Sequence, residues 1–286
     1  MGEPLVCLVT GATTGIGLAT AEGLARAGAH VILGARSAAR GAAARERVAR
    51  ATGSERLEVA VADLSVQAEV RRLADEVARA HPRLDVLVNN AGLVMGRRVE
   101  TADGIETTWA VNHLAPFLLT NLLRDKLVAS APARVVTVAS DAHSGARLDL
   151  DDPQFARRRF SSMTVYGHSK LANILFTAEL ARRLEGTGVT ANCLHPGVVA
   201  SEFGTRPGGL FSFGWRLLRP FVLTPERGAD TSIYLATSPE VADVTGRYFY
   251  RRKPIDPSRE ARDPDLARRL WEASERMTGL AVPAAG

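Results

Sequence analysis

The chain has 286 residues, of which 46% are hydrophobic, and a formal net charge of +5. This length predicts one large domain, although two small ones are still compatible with it, and the hydrophobic fraction can fill a complete core. The basic residues form short, scattered clusters without interleaved aromatic residues, which argues against a nucleic-acid partner.

The start of the chain and its cysteines bear on the compartment. Met1–Pro4 lead directly into an apolar segment, so we expect no signal peptide. The charge-free apolar stretch Thr107–Leu123 contains Asn, His and Pro residues, and so predicts a buried helix, with no integral membrane span. Cys7 and Cys193 both lie in strand-like apolar runs, which is typical of buried thiols in a reduced, cytoplasmic protein.

The first 35 residues predict a dinucleotide-binding unit. The short apolar run Leu5–Val9 is typical of a strand buried on both faces. The glycine-rich turn Thr10–Gly17 follows, then a helix over Leu18–Ala27 that Gly28 ends, and a second strand over His30–Ala35. Glycines let the backbone approach a pyrophosphate closely, and the helix start offers it N–H groups and a partial positive charge.

Strands and helices continue to alternate along the rest of the chain. The alternation predicts an α/β fold of the Rossmann type, a doubly wound parallel sheet of about seven strands with helices on both faces and ligands at the carboxyl ends of the strands. No linker interrupts it, so we expect residues 1–286 to form a single domain. The further predicted strands are Leu57–Val61, Leu84–Val88, Arg134–Ala139, Val189–Leu194 and Gly246–Tyr250. The further predicted helices are Ser37–Ala51, one that Ser65 caps and that ends near Ala80, Thr107–Ala129, Val165–Leu184, Pro225–Thr237 and Pro264–Thr278.

A tyrosine and a lysine lie one turn apart on one of these helices. The spacing of Tyr166 and Lys170 places both side chains on one face. An ammonium group close to a phenol lowers the pKa of the phenol toward neutrality, as a general acid or base requires. Such pairs are also common on exposed helix surfaces. Only Lys126, Lys170 and Lys253 of the 36 basic residues are lysines, so a lysine beside this tyrosine indicates a role that arginine would fill badly.

Motifs spread along the whole chain resemble those of the short-chain dehydrogenase/reductase family. The matching pieces are Thr10–Gly17, Asp63, Asn89–Gly92, Asn112, Ser140, Tyr166 with Lys170, and Pro196-Gly197. Within that family, the stretches Thr101–Gly104, His168–Asn173 and His195–Val199 look most like the retinol dehydrogenase group and the related WW-domain oxidoreductases. A long insertion between Ser140 and Tyr166 is also similar to that group.

The resemblance implies catalytic roles for four residues. Tyr166 would exchange the proton on the substrate oxygen, and Lys170 would lower the pKa of Tyr166 and hold the nicotinamide ribose. Ser140 would hydrogen-bond the substrate carbonyl, and Asn112 would hold a water molecule in a proton relay. Pro116 has no N–H to donate to the carbonyl of Asn112, which would leave that carbonyl free for the water.

The resemblance also implies a set of cofactor-binding residues. Asp63 would bind the adenine amino group, and the segment after the sixth strand would contact the nicotinamide. The full set is Gly11, Thr13, Thr14, Gly15, Ile16, Gly17, Arg36, Arg40, Asp63, Leu64, Asn89, Ala91, Gly92, Tyr166, Lys170, Pro196, Gly197 and Val199.

The residue after the second strand bears on the choice of cofactor. Arg36 stands where NAD-preferring enzymes of this fold place Asp or Glu, and Arg40 follows one turn into the next helix. No carboxylate lies between His30 and Arg45. A guanidinium can bind the 2′-phosphate of NADP through two bonds, although it could instead stack on the adenine of either cofactor. We therefore expect NADP(H).

The segment Glu202–Leu223 interrupts the alternation with five aromatic residues among glycines. This composition predicts a mobile lid over an apolar substrate, with a surface loop as the alternative. The expected function is hydride transfer between nicotinamide and the carbonyl or alcohol of a fairly apolar small molecule, with no metal ligands. A carbon–carbon double-bond reductase and a noncatalytic NADP-sensing protein are the alternatives. Homo-oligomerisation and contact of the lid with membranes stay open.

Overall fold

The computed structural model describes residues 3–197 and 223–280, and within these ranges eight strands form one sheet. In the sheet the strands follow the order 3-2-1-4-5-6-7-8. Numbered along the chain, they are β1 (Val6–Val9), β2 (His30–Ala35), β3 (Leu57–Val61), β4 (Val86–Asn89), β5 (Ala133–Val138), β6 (Val189–Leu194), β7 (Tyr248–Tyr250) and β8 (Lys253–Ile255).

Neighbouring strands are parallel from β3 to β7, and β8 is antiparallel to β7. Because β1 pairs with both β2 and β4, the strand order reverses beside β1, where such sheets leave a crevice for a ligand. The predicted doubly wound parallel sheet of the Rossmann type is therefore confirmed. The expectation of about seven strands missed β8, whose three residues are all exposed and carry no buried apolar run.

Helices cover both faces of this sheet. One apolar cluster joins the sheet to α3, α5 and α7, and a second joins it to α1, α2 and α8. The helices are α1 (Gly15–Arg26), α2 (Ala38–Thr52), α3 (Gln67–Ala80), α4 (Thr107–Trp109), α5 (Ala115–Leu122), α6 (Arg124–Ala129), α7 (Ser162–Arg183), α8 (Pro225–Thr237) and α9 (Pro264–Thr278), with short 3₁₀ turns at Asp141–Gly145, Pro239–Val241 and Glu260–Arg262.

The long helix predicted over Thr107–Ala129 is present with these bounds, but it consists of α4, α5 and α6 and contains a π-helical turn that the sequence did not predict. Between α4 and α5 the chain makes a π-helical turn at Ala110–Leu114, in which the N–H of Ala115 bonds the carbonyl of Ala110. Pro116 follows directly and has no N–H for the carbonyl of Asn112. The wider turn accommodates this missing bond, and π turns of this kind are frequent at functional sites.

The predicted cap of α3 is also wrong. This helix begins at Gln67, and Ser65 instead bonds the carboxylate of Asp63 through its own N–H and hydroxyl. The N–H of Gln67 donates to the carboxylate of Asp103 at 2.8 Å. Local spacing could not show this cap, because it comes from a segment that is distant in sequence.

Most other element bounds agree with the sequence. Those of β2, β3, β6, α8 and α9 are as predicted, and the rest differ by a few residues at their ends. The predicted lid at residues 202–223 lies outside the described residues except for Leu223, and so does Val199. No helix among the described residues is long and apolar enough to cross a membrane.

A neutral histidine, His113, lies within the π turn and is buried in the core. The ring of His113 lies 4.6 Å from that of Trp109, and its Nε2 lies 2.9 Å from the hydroxyl of Ser274 on α9. Because that hydroxyl already donates to the carbonyl of Leu270, His113 is the donor in this contact. Burial lowers the pKa of His113 to about 3.

Acid should therefore lower the free energy of unfolding of the wild type through His113, and the His113→Gln variant should not show this loss. Below about pH 6.5 the unfolded chain takes up a proton at His113 that the folded chain cannot accept until about pH 3, so stability falls across this window. The variant lacks this proton. The free energy of unfolding of the variant is expected to be lower than that of the wild type. This difference should shrink by about 1.4 kcal/mol per pH unit as the pH falls from 6 to 4.5. Urea unfolding at both pH values measures the difference, and a constant deficit would contradict the assignment.

Candidate active site

The glycine-rich turn after β1 is bonded to the loop that follows β4. The hydroxyl of Thr10 accepts the N–H groups of Asn90 and Ala91, each at 3.0 Å. In return, the side-chain amide of Asn90 donates to the carbonyls of Thr10 and Gly11, at 2.8 and 3.3 Å. A Cβ on Gly17 would lie 2.3 Å from both the Gly11 oxygen and the Asn90 amide, so only glycine fits there. Sequence reasoning did not assign roles to Thr10 or Asn90, although both lie within its motifs.

The start of α1 fits the pyrophosphate of a dinucleotide. Thr14 is the N-cap, but its side chain makes no capping bond, and the first turn contains no acidic residue. The first N–H groups of the helix are thus free of a side-chain acceptor among the described residues, and the helix dipole adds partial positive charge. A Cβ on Gly15 would meet no heavy atom within 4 Å, so space remains in front of the helix. Thr13 and Ile16 complete this turn.

Two predicted arginines lie on the same side of the sheet edge. Arg36 directly follows β2 and Arg40 lies on α2; both are exposed. Neither side chain has an ion-pair or hydrogen-bond partner in residues 3–197 or 223–280. Arg40 and Thr13 help to line a cavity of about 200 Å³. Guanidinium groups without carboxylate partners are suited to bind a phosphate group.

The two predicted cofactor residues after β3 differ in what their side chains offer. Asp63 is half-buried, and its Oδ1 already accepts two bonds from Ser65, at 2.9 and 2.7 Å. The side chain of Leu64 packs against the apolar core, so this residue presents its backbone to the sheet edge.

The sequence predicted that Asn89 lines the cofactor channel, but its side chain points to α5 instead. The side chain is buried, and its amide donates to the hydroxyl of Thr120 on α5 at 2.9 Å. The alternation of side chains along β4 turns Asn89 toward this helix and the next residue toward the glycine turn. Ala91 and Gly92 lie half-buried at the edge of the sheet.

Tyr166 and Ser140 come together although a long insertion separates them in sequence. Ser140 follows β5, Tyr166 lies on α7, and a hydrogen bond joins their side chains. Burial raises the pKa of Tyr166, while the bond with Ser140 acts in the opposite direction. The net shift is upward, opposite to the lowering that the sequence predicted from Lys170, because loss of solvation outweighs the favourable contacts.

Lys170 is buried directly beneath this pair. Its ammonium donates to the carbonyl of Val138, the last residue of β5, at 2.8 Å and lies 5.5 Å from the centre of the Tyr166 ring. Burial lowers the pKa of Lys170 to about 8, which leaves the group mostly charged at neutral pH. Val138 uses one of the three N–H donors, and the others have no acceptor among the described residues.

Asn112 is held within the π turn and connects three elements. Its Oδ1 accepts the N–H of Leu93 at 2.8 Å, and its Nδ2 donates to the Leu93 carbonyl at 2.9 Å and to the Ser169 hydroxyl at 3.0 Å. Ser169 in turn donates to the carbonyl of Tyr166. A Cβ on Gly92 would lie 3.4 Å from both Asn112 and Lys170. The side chain of Asn112 thus positions its neighbours, and the water relay through its carbonyl stays a prediction.

The segment after β6 presents the last of the predicted residues. Gly197 has a φ of +83°, and a Cβ there would lie 2.7 Å from Leu223. Its N–H donates to Nδ1 of His195, whose ring stacks on Tyr250 at 4.1 Å. Pro196, which lies between His195 and Gly197 in the sequence, is half-buried.

His143 is a further residue that supports the site. Its Nδ1 lies 2.8 Å from the carbonyl of Ser140, and its Nε2 accepts the N–H of Ser258 at 3.1 Å. The ring is buried against Tyr248, with centroids 5.1 Å apart. His143 thus fixes the backbone that carries Ser140. No sequence pattern could identify it, because Ser258 lies on a distant segment.

Comparison with known proteins agrees with this geometry. Residues 5–206 match the family model described as short chain dehydrogenase. Retinol dehydrogenase 13 of Homo sapiens is 43% identical, in a match that covers 96% of this chain and 85% of that protein. The crystal structure of an uncharacterized protein from Mycobacterium paratuberculosis is 34% identical with a TM-score of 0.79, covering 98% of this chain and 97% of that one. The RhlG/NADP complex of Pseudomonas aeruginosa is 30% identical with a TM-score of 0.69, covering 86% and 93%.

The chain therefore belongs to the short chain dehydrogenase family, whose members are pyridine-nucleotide-dependent oxidoreductases that act on small molecules. Within that family it falls into the retinol dehydrogenase group.

Removal of the phenol should separate catalysis from binding. In Tyr166→Phe the ring and its packing remain, but the proton that Ser140 and Tyr166 share is lost, so turnover should fall by about 10²–10⁴-fold. Binding of the reduced nicotinamide cofactor, followed by fluorescence titration, should change little. Lys170→Arg should also lose turnover, because a planar guanidinium cannot replace a compact ammonium beneath the ring. Near-normal turnover of Tyr166→Phe would show that another group exchanges the proton.

Proposed function

We propose that this protein is an NADP(H)-dependent oxidoreductase that interconverts an alcohol and a carbonyl group on an apolar small molecule. The observation that carries the reaction type is the hydrogen-bonded pair of Ser140 and Tyr166 above the buried ammonium of Lys170. These groups suit a substrate oxygen that gains or loses a proton. The bound nicotinamide would supply or accept the hydride.

Each of the three side chains has a distinct part in this proposal. The raised pKa of Tyr166 keeps the phenol protonated at neutral pH, so it can donate a proton to a carbonyl oxygen that becomes an alcohol. Ser140 would bond the same oxygen and orient it. The ammonium of Lys170, with N–H donors to spare, would hold the ribose hydroxyls and stabilise the phenolate that remains after proton transfer.

The choice of NADP(H) rests on Arg36. Its guanidinium is exposed at the end of β2, without a carboxylate partner among the described residues, and Arg40 lies on the helix that follows. The carboxylate that would accept the ribose hydroxyls of NAD is missing from residues 30–45. The RhlG structure, a relative at 30% identity, is a complex with NADP.

Arg36→Ala should weaken the binding of NADPH far more than the binding of NADH. A charge-assisted hydrogen bond contributes about 1.5–3 kcal/mol, which corresponds to roughly ten- to hundredfold in affinity. Arg45→Ala is a matched control, because Arg45 is equally exposed on α2 but is not among the predicted cofactor residues. Values of kcat/KM for both cofactors on the three proteins decide the matter. A wild type that prefers NADH, or equal losses with both cofactors, would remove Arg36 from this role.

The apolar substrate is supported by the sequence of residues 202–223 and by similarity to proteins named retinol dehydrogenases. We infer that the aromatic side chains of this segment contact the substrate. Replacing both Phe211 and Trp215 with Ala should then raise KM for a long-chain aldehyde more than for a short one. Steady-state kinetics with the two aldehydes measure this ratio, and equal effects on both would indicate a structural role for the segment.

A reducing compartment such as the cytoplasm suits the proposed protein. Cys7 and Cys193 are both buried free thiols, and burial raises the pKa of each, that of Cys193 to about 12. Thiols of this kind are unreactive and need no disulfide partner.

A further inference from the structure

Two histidines and a glutamate meet at the edge of the sheet opposite the candidate active site. His30 begins β2, Glu58 lies on β3, and His81 follows the last residue of α3. Arg36 lies six positions after His30, at the other end of β2, a span of about 20 Å in an extended strand. The cluster is therefore independent of the residues assigned to cofactor and substrate.

The fold directs these three side chains to one point. Ile32 pairs with Glu58 across the parallel strands, so His30, two residues before Ile32, shares the face of Glu58. That face is covered by α3, where Val77 packs on the core with Ile32. His81 lies one turn beyond Val77 and so extends the same face of the helix to the rim of the core.

The ligand atoms are already close together. Nε2 of His30 lies 2.8 Å from one carboxylate oxygen of Glu58, and Nε2 of His81 lies 3.2 Å from the other. The three ligand atoms all fall within 4.8 Å of one another, and the two rings meet edge to face with centroids 5.3 Å apart. Ligands on a tetrahedral zinc ion lie roughly 3.3 Å apart, as follows from bond lengths of about 2.0–2.2 Å. Small side-chain rotations would thus bring all three to a common ion.

The contacts within the cluster leave a donor or lone pair unused. Nε2 of His30 is buried and has no aligned hydrogen bond among the described residues, although the Glu58 oxygen is near. The two imidazoles thus face different oxygens of one carboxylate, and the contact of His30 is close without being an aligned hydrogen bond. A cation between them would use both nitrogen lone pairs and the carboxylate charge at once.

We propose that His30, Glu58 and His81 form a site for a divalent transition-metal ion of the zinc class. Two imidazoles and one carboxylate are ligands that zinc prefers, and the exposure of Glu58 leaves a fourth position for water. The ion joins the start of β2, the third strand and the connection between α3 and β4. Lys126 reinforces that connection by donating to the carbonyl of His81 at 2.9 Å. The site stabilises the fold and takes no part in hydride transfer.

Zinc titration of the chelator-treated protein tests this site. Isothermal calorimetry with ZnCl₂ should show one ion per chain, and free zinc at about 100 times Kd should raise Tm by about 5 °C. Cobalt in place of zinc should give the visible absorption of a tetrahedral ion. His30→Gln, His81→Gln and Glu58→Gln should each weaken binding by more than the roughly 10–100-fold that loss of an outer partner costs. The thermal unfolding transition of each variant is first measured in the presence of EDTA, and a cooperative transition shows that the variant folds without metal.

Glu55→Gln provides the matched control. Glu55 is exposed three residues before Glu58, outside the cluster, and the substitution removes the same charge. It should bind zinc as the wild type does. The site is refuted if the wild type binds no zinc, if any of the three ligand variants keeps wild-type affinity, or if Glu55→Gln loses as much affinity as Glu58→Gln.

Discussion

The burial of a single ammonium group, that of Lys170, constrains the rest of the candidate active site. Loss of solvation disfavours the charged form and lowers the pKa of Lys170 to about 8. The charge is tolerated because the carbonyl at the end of β5 accepts one of its N–H groups. That bond joins α7 to the end of β5 one turn after Tyr166, on a helix whose apolar side chains pack in the core. The group proposed to exchange the proton therefore lies close to a buried cation, with 5.5 Å between the ring centre of Tyr166 and the ammonium.

A second set of bonds holds the surroundings of this cation in place. The π turn sets Asn112 between the loop after β4 and the middle of α7, and every polar atom of its side chain is bonded to one or the other. Gly92 lies directly beside both residues, since a Cβ there would be in van der Waals contact with Asn112 and Lys170 at 3.4 Å. A local irregularity in one helix therefore ties three elements together at the point where substrate and nicotinamide would meet.

The other end of the crevice, near the glycine-rich turn and Arg36, offers N–H donors and positive charge. Within residues 3–197 and 223–280, the first N–H groups of α1 have no side-chain cap and the guanidinium of Arg36 has no carboxylate partner, which makes this end favourable to phosphate groups. Hydrogen bonds of the Thr10 hydroxyl and the Asn90 side-chain amide join the glycine-rich turn to the loop after β4 at this end of the crevice. The groups proposed for catalysis and for phosphate binding follow different strands, and the carboxyl ends of these parallel strands lie at one edge of the sheet.

Sequence alone determined most of the strands and helices, the order of the motifs and the spacing of Tyr166 and Lys170, because these depend on periodicity and spacing within one segment. Retention of those motifs also identified the family. Tertiary structure decided the features that join distant segments: the π turn at Ala110–Leu114, the turn of Asn89 into the core, and the support of Ser140 by His143. It also decided that burial, which outweighs the bond with Ser140, raises the pKa of Tyr166. Desolvation and contacts between segments depend on packing in three dimensions, and no local pattern of residues encodes them.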